Sequence, residues 1–451
     1  MRKSYEIDMC NGPIFSRLIL FSIPLILSSI LQLLFNTADI IVVGRYTGAH
    51  ALAAVGSTSS LINLQVNLFM GLSVGACVLL GRYYGAQDYN NASKTVQTAM
   101  ITAMVAGCFM VVMGFIFARP LLELMATPSD VIELSTLYIR IYFFGMPAFM
   151  VYNFGASLLR ALGDTKRPLY YLTVSGIINV LFNLAFVIKF QMGVAGVALA
   201  TIIAQWISAT FILLALKNSD GVLHLDFKDM HFHKDKMFEM LRIGLPAGLQ
   251  SVIFNISNIL IQSSINSFGS MVMAGNTAAS NIESFVYTSM NSIYQTSLSF
   301  TSQNYGAKKF HRIDKILLQC LFIVCVVGMS MGMGAYACGN TLLGIYSSDP
   351  NVIQYGLARL SVVSASYFLC GIMDVLVGSL RGIGFSLMPM FVSLAGACLF
   401  RVIWIFTIFQ IYHTQFSLYV SYPISWILTS SAHMICYLAL RKKAFKKAAL
   451  S

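Results

Sequence analysis

Of the 17 acidic residues in the chain, Asp39, Glu283 and Asp374 are the three that fall within long apolar stretches. A carboxylate at the centre of a bilayer costs ~2.5–3.5 kcal/mol on insertion scales, so an acid kept there is paired, protonated or used to move charge. Asp39 lies about five residues, or ~8 Å along a helix, from the outer end of its stretch near Gly44. Asn183 sits at a matching depth before Ile188, and Thr201 about seven residues, or ~10 Å, into the stretch that follows. Asn179 and Asn183, four residues apart, share one helical face and present amide groups suited to a carboxylate or a cation.

The other polar groups in apolar surroundings leave alternatives open. Glu283, ~14 Å into its stretch, reads either as a cleft-facing acid that attracts an organic cation or takes a proton, or as a paired, purely structural acid. Asp374 reads as a second acidic site or as the partner of Arg381 seven residues on. Arg401 is the deeply embedded base, open to snorkelling, to pairing with Asp374 or Glu283, or to contact with a substrate in a cleft. Pro24, on the same stretch as Asp39 and ~22 Å before it, frees one backbone carbonyl and permits a bend. Protonation of Asp39 is expected to bias that helix between straight and bent forms.

The elements that hold these groups follow from composition. The 451 residues are 57% hydrophobic and 10% charged, far from the usage of soluble domains. Twelve apolar stretches, each near the length that crosses a ~30 Å hydrocarbon core, run from residue 15 to residue 440. They lack the alternation of an outer-membrane barrel, so the fold class is all-α and polytopic, with twelve transmembrane helices. The first stretch is too long for a secretory leader and has no small-residue cleavage site, so insertion is expected to use the helices themselves.

The formal charge of +12 is not spread evenly. With the amino terminus in the cytoplasm, the inner loops collect most Lys and Arg, including Arg82, Lys94, Arg160, Lys166, Arg167, Lys308, Lys309, Arg312 and Arg441–Lys443. The opposite loops hold Arg45, Arg119 and Lys189. This asymmetry predicts a multi-pass protein of the cell membrane with both termini cytoplasmic, and it excludes a nucleic-acid role. The nine cysteines include no C-x-x-C pair and read as small packing residues; His231 and His233 stand in a polar loop without a third ligand, so no metal site is expected. No P-loop, H-E-x-x-H or G-x-S-x-G occurs, which argues against an enzyme and against direct ATP drive.

The second half repeats the first. Ile23-Pro24 through Asn36 runs parallel to Leu245-Pro246 through Asn258, Tyr84-Gly85-Ala86 to Tyr305-Gly306-Ala307, and Leu159-Arg160-Ala161-Leu162-Gly163 to Leu380-Arg381-Gly382-Ile383-Gly384. A duplicated six-helix unit is implied. An even number of spans per copy gives both the same orientation, related by a pseudo-two-fold axis along the membrane normal. The expected organisation is an amino-terminal lobe of helices 1–6 over 1–216, a cytoplasmic linker over 217–239, and a carboxy-terminal lobe of helices 7–12 with a basic tail over 240–451. Asp39 has Ile261 as its repeat counterpart and Glu283 has Ile62, so the copies are chemically unequal.

Several segments together give the sequence a wider likeness. These are Pro24 through Asp39 to Gly44; Gly48-Ala49-x-Ala51-Leu52-Ala53-Ala54-Val55-Gly56; Gly71-Leu72-Ser73-x-Gly75; Gly81-Arg82-x-x-Gly85-Ala86-Gln87-Asp88; Leu159 through Asp164; and Gly378-Ser379-Leu380-Arg381-Gly382. In this order and spacing the chain resembles the multidrug and toxic compound extrusion (MATE) family over essentially its whole length. The resemblance implies export of small amphiphilic organic cations by alternating access, as an antiporter coupled to H⁺ or Na⁺, in the bilayer, as a monomer and without a cofactor. It also implies a cation site built from Asp39, Asn179, Asn183 and Thr201. Here the chain departs from the family pattern: Asn183 stands where relatives often carry a second Asp, which weakens Na⁺ coordination and shifts the expectation towards H⁺. Helix 7 offers only neutral Gln250, Asn255, Asn258 and Gln262 where another branch uses an acid. The alternative cargo within the same fold is a lipid-linked sugar or cell-wall precursor, making the protein a flippase. Such a site calls for several cleft-facing bases, and Arg401 is the single deep one.

Overall fold

Backbone amides find no water in hydrocarbon, and an apolar chain satisfies them by closing each N–H onto its own segment. The computed structural model describes residues 5–125 and 127–450, and among them the regular structure is helical, with no strand. The spans are α1 (Ile14–Tyr46), α2 (Ala49–Gly85), α3 (Tyr89–Leu124), α4 (Ile132–Phe143 with Met146–Ala161), α5 (Lys166–Lys189), α6 (Gly193–Lys217), α7 (Lys234–Asn266), α8 (Ser270–Gly306), α9 (Phe310–Ala337), α10 (Pro350–Ser364 with Phe368–Gly382), α11 (Leu387–Ile411) and α12 (Gln415–Leu450). Nine are single helices long and apolar enough to cross a membrane, and α4 and α10 qualify as bent pairs, with bends of 49° and 42°. The remaining span, α8, is 37 residues long. It is rich in Ser, Thr and Asn yet mostly buried, so most of its polar groups face protein rather than lipid.

The bends have local causes. In α4 Pro147 stands at the start of the second segment; it lacks an N–H, and its ring disfavours helical geometry at the residue before. In α10 the one proline, Pro350, stands at the helix start, far from the bend, and the break follows a π-helical turn at Leu360–Ser364, where one extra residue per turn shifts the hydrogen-bond ladder. The polar stretch expected to link the halves is loop up to His233, holds a 3₁₀ turn at Gly221–Leu223 and becomes helical from Lys234.

The duplication is written in the backbone. Gly48 and Gly269, 221 residues apart, have φ of 89° and 94°; Gly163 and Gly384 have 99° and 104°. Gln87 and Lys308 take the left-handed region at 58° and 55°, a conformation that an L side chain adopts only when the turn around it demands it. The same hydrogen bonds close both turns: Ala86 to Arg82 and Gln87 to Tyr84 in one, Ala307 to Gln303 and Lys308 to Tyr305 in the other.

The described chain forms two compact units. The first takes residues 5–7 and Leu27–Gly248, the second Asp8–Ile26 and the residues from Leu249 on. Two helices therefore change unit in mid-course: α1 between Ile26 and Leu27, and α7 between Gly248 and Leu249. Each crossing comes three residues after a proline, Pro24 in α1 and Pro246 in α7. The second unit holds the start of α1 through a Ser22 to Thr296 hydroxyl contact of 2.9 Å and an edge-on Phe21–Phe300 pair at 5.4 Å.

The first unit holds the start of α7 by a closer device. Gly71 and Gly75 of α2 face Gly244 and Gly248 of α7, and a Cβ added at any of the four would come within 3.0 Å of facing backbone. Two G-x-x-x-G faces thus bring the helices into backbone contact, where dispersion between main chains replaces the hydrophobic effect that lipid cannot supply. Backbone cannot swing aside as a side chain can. Gly71→Val should therefore cost about 3 kcal/mol, the upper end for overpacking, and should appear as a lower thermal unfolding midpoint in detergent. An unchanged midpoint would mean that α2 and α7 can part here at no cost.

Candidate functional site

In the first unit α1 and α5 meet where α5 carries no side chain. The Phe35 ring lies against Gly176 so closely that a Cβ there would overlap it. One turn further along each helix the polar groups come together. Asn179 Nδ2 donates to Asp39 Oδ2 at 3.4 Å, and Asn183 Nδ2 donates both to Asp39 Oδ1 and, at 2.9 Å, to Asn179 Oδ1. The Thr201 hydroxyl donates to the Val197 carbonyl at 3.0 Å and lies against the same carboxylate. Asp39 is half-buried, whereas Asn183 is 1% exposed. Tyr138 and Tyr142 of α4, stacked at 5.8 Å, stand beside Asp39.

All four residues expected to form a cation site are thus neighbours. The cluster contains one carboxylate, met by amide donors rather than by a base. Those donors hold an ionised Asp39 in place without cancelling its charge, and Asn183 Oδ1, buried and without a hydrogen-bond partner, remains as an acceptor. A proton on Asp39, or a small cation held by the carboxylate and amide oxygens, would complete it electrostatically. A π-helical turn at Ala185–Lys189 begins two residues after Asn183.

The second unit arranges its charges differently. Glu283 is engaged by Arg359 of α10: Nη2 donates to Oε2 at 2.7 Å and Nε to Oε1 at 3.1 Å, and Arg359 Nη1 donates to Asn276 Oδ1 at 2.7 Å. Both partners are buried, at 3% and 6% exposure. Of the two readings left open for Glu283, the structure places it in a pair. Asp374 and Arg381 do not form the pair considered from their spacing: Arg381 instead donates to the Tyr294 hydroxyl at 2.7 Å and to Gln250 Oε1 at 2.8 Å. Asp374 keeps Oδ2 buried and without a hydrogen-bond partner, near Tyr287 and Cys370. Seven residues carry the helix almost two full turns, which brings Arg381 near the face of Asp374 but a full ~10 Å along the axis. Arg401 pairs with neither acid; its Nε donates to Ser425 Oγ at 2.8 Å. Pro24 lies within a continuous α1, beside its change of unit.

Arg359 is not among the residues singled out from the sequence. The signal was available: Asn276 and Glu283 are seven residues apart on one face of α8, and a buried acid with an amide two turns away marks a place for a fork-shaped donor.

A model of the family described as MatE matches the chain twice, over residues 24–185 and 246–407. The chain is 27% identical over 382 residues to the probable multidrug resistance protein YoeA of Bacillus subtilis, with 83% of this chain and 82% of that protein covered. It is 22% identical over 377 residues to the multidrug export protein MepA of Staphylococcus aureus, covering 83% of each. Among solved structures, the fold is similar to that of a multidrug resistance MATE family transporter of the MOP superfamily in an outward-facing conformation, with a TM-score of 0.91, 18% identity, and 99% of this chain and 100% of that one covered. With its fold, its duplication and both halves matched, this multi-pass membrane protein belongs to the MATE family of transporters.

Proposed function

We propose that the protein exports amphiphilic organic cations across the cell membrane in exchange for H⁺ or Na⁺, by alternating access, with both termini in the cytoplasm. The observation that carries this reading is the convergence of Asn179, Asn183 and Thr201 on the single carboxylate of Asp39. An acid in a membrane helix, met by neutral donors and, among the described residues, by no base in ion-pair reach, changes its net charge when a cation arrives from one side of the bilayer. That change is what a coupled cycle requires, because a ligand shifts a two-state equilibrium only by its differential affinity for the two states. The proton is favoured over Na⁺ because one formal charge with amide and hydroxyl oxygens is a weak set for a hard cation. The multidrug names of the relatives support the cargo, and the excess of Lys and Arg in alternate loops supports the orientation.

The test is dye efflux from liposomes holding the purified full-length protein, with H⁺ and Na⁺ gradients imposed separately. Efflux of an organic cation under the proton gradient, with a smaller response to Na⁺, is the expected result. No efflux of several such cations under either gradient would sink the reading.

A further inference from the structure

Arg401 is 4% exposed and stands in an aromatic enclosure built wholly from the second unit. Its guanidinium carbon lies 4.2 Å from the centre of the Tyr422 ring and 5.5 Å from that of Trp426. Trp426 is in turn edge-on to Tyr367 at 5.1 Å and to Tyr422 at 5.7 Å. Beneath lies a cluster of buried side chains that includes Val363, Cys370, Met373, Ala397 and Ile405.

Two features set this arginine apart from Arg359, the other buried base that reaches the same rings. Arg359 shares the Tyr422 ring, at 5.5 Å, but has Glu283 and Asn276 to meet its fork. Arg401 has a hydroxyl on Nε, and Nη2 is buried with no hydrogen-bond partner. Among the described residues no carboxylate lies within ion-pair distance of it, although Asp374 and Arg401 both act on Cys370. A buried guanidinium without a counter-charge is costly, and ring faces return only part of that cost. Arg401 is also the second residue after a π-helical turn at Leu394–Leu399, a distortion that re-aims the side chains after it and is frequent at functional sites. The enclosure is not sealed, since Tyr367 and Tyr422 are each half-buried.

We infer that Arg401, Tyr422 and Trp426 form a subsite for the carboxylate of an aromatic substrate, whose anion meets the unpartnered edge of the guanidinium and whose ring packs among Tyr367, Tyr422 and Trp426. The protein then accepts aromatic acids as well as the organic cations proposed above. The shape of the site argues for this class. A planar fork matches a planar carboxylate, and a wall of three aromatic rings selects a flat apolar body over an aliphatic one.

The probe is 2-naphthoate, compared with its neutral isostere 2-naphthamide, titrated into the purified full-length chain while tryptophan emission is followed. Trp426 forms one wall of the site and should report occupancy. Naphthoate should bind about 10-fold more tightly than the amide, the worth of one charge-assisted hydrogen bond. Arg401→Gln should erase that preference, and Arg401→Lys should keep part of it. Equal affinity for acid and amide in the unaltered chain overturns the inference without recourse to any variant, as does a preference that survives Arg401→Gln. Because the preference is read at equilibrium with no gradient, it can fail while gradient-driven cation export succeeds, and the reverse.

Discussion

Replacing Arg359 by Met should lower stability by about 3–5 kcal/mol, the cost of leaving one member of a buried ion pair unmatched. The size follows from the geometry. Glu283 accepts from both Nε and Nη2, and Asn276 orients the fork from the same helix. With Arg359 gone, the carboxylate has no base within reach and water must enter or a proton must be taken up. The mirror experiment separates a broken pair from lost packing. Glu283→Gln alone should also destabilise, because it leaves the guanidinium charged and buried, whereas Glu283→Leu with Arg359→Met should recover most of the loss. Thermal unfolding of the three variants in the same detergent decides it. If the double variant falls as far as the sum of the singles, the residues contribute packing rather than charge.

The second large effect is on transport. Asp39→Asn preserves the size of the side chain but fixes it in the uncharged form, so a gradient no longer acts on it. Gradient-driven export should fall by about 5- to 150-fold, corresponding to a coupling free energy of about 1–3 kcal/mol, while equilibrium binding of the exported dye persists. Asn in place of Asp also puts an amide against the amides of Asn179 and Asn183, which can be accommodated by rotation of one of the three. Spin-label distances spanning α1 across Pro24 should differ between acid and alkaline pH in the unaltered chain and become insensitive to pH in the variant. Full coupled export by Asp39→Asn at normal expression would remove Asp39 from the mechanism.

Much of this was legible in the sequence, for identifiable reasons. Spanning helices announce themselves because lipid imposes one solution on the backbone, and the duplication because matched segments such as those ending at Gly163 and Gly384 close left-handed turns that few other residues adopt. The Asp39 cluster was accessible because the family resemblance named its members and their shared depth agrees with it, and depth is what residue counting measures along a helix. Azimuth and inter-helix distance are what it does not measure. Hence Glu283 was left between two readings until Arg359 appeared opposite it, and the Asp374 to Arg381 spacing, favourable in angle, failed in height. The contact between α2 and α7 shows the same limit from the other side. Gly71 and Gly75 were visible as a motif, and Gly244 and Gly248 carry the same spacing, but nothing in a linear string says that those two faces touch.

The mid-course exchange of α1 and α7 bears on how the chain comes into being. A ribosome delivers residues in order, so the first unit lacks its Gly244 and Gly248 contacts until about half of the protein has been made. Until then the Gly71 and Gly75 face of α2 lacks the backbone it packs against in the finished fold. The opening thirteen residues of α1, Ile14–Ile26, must wait longer still, for α8 and its Thr296 and Phe300. A cut in the loop between α6 and α7 would therefore not release two self-sufficient halves. Each fragment would carry away a half-helix that the other needs, and the two should accumulate in the membrane only when synthesised together.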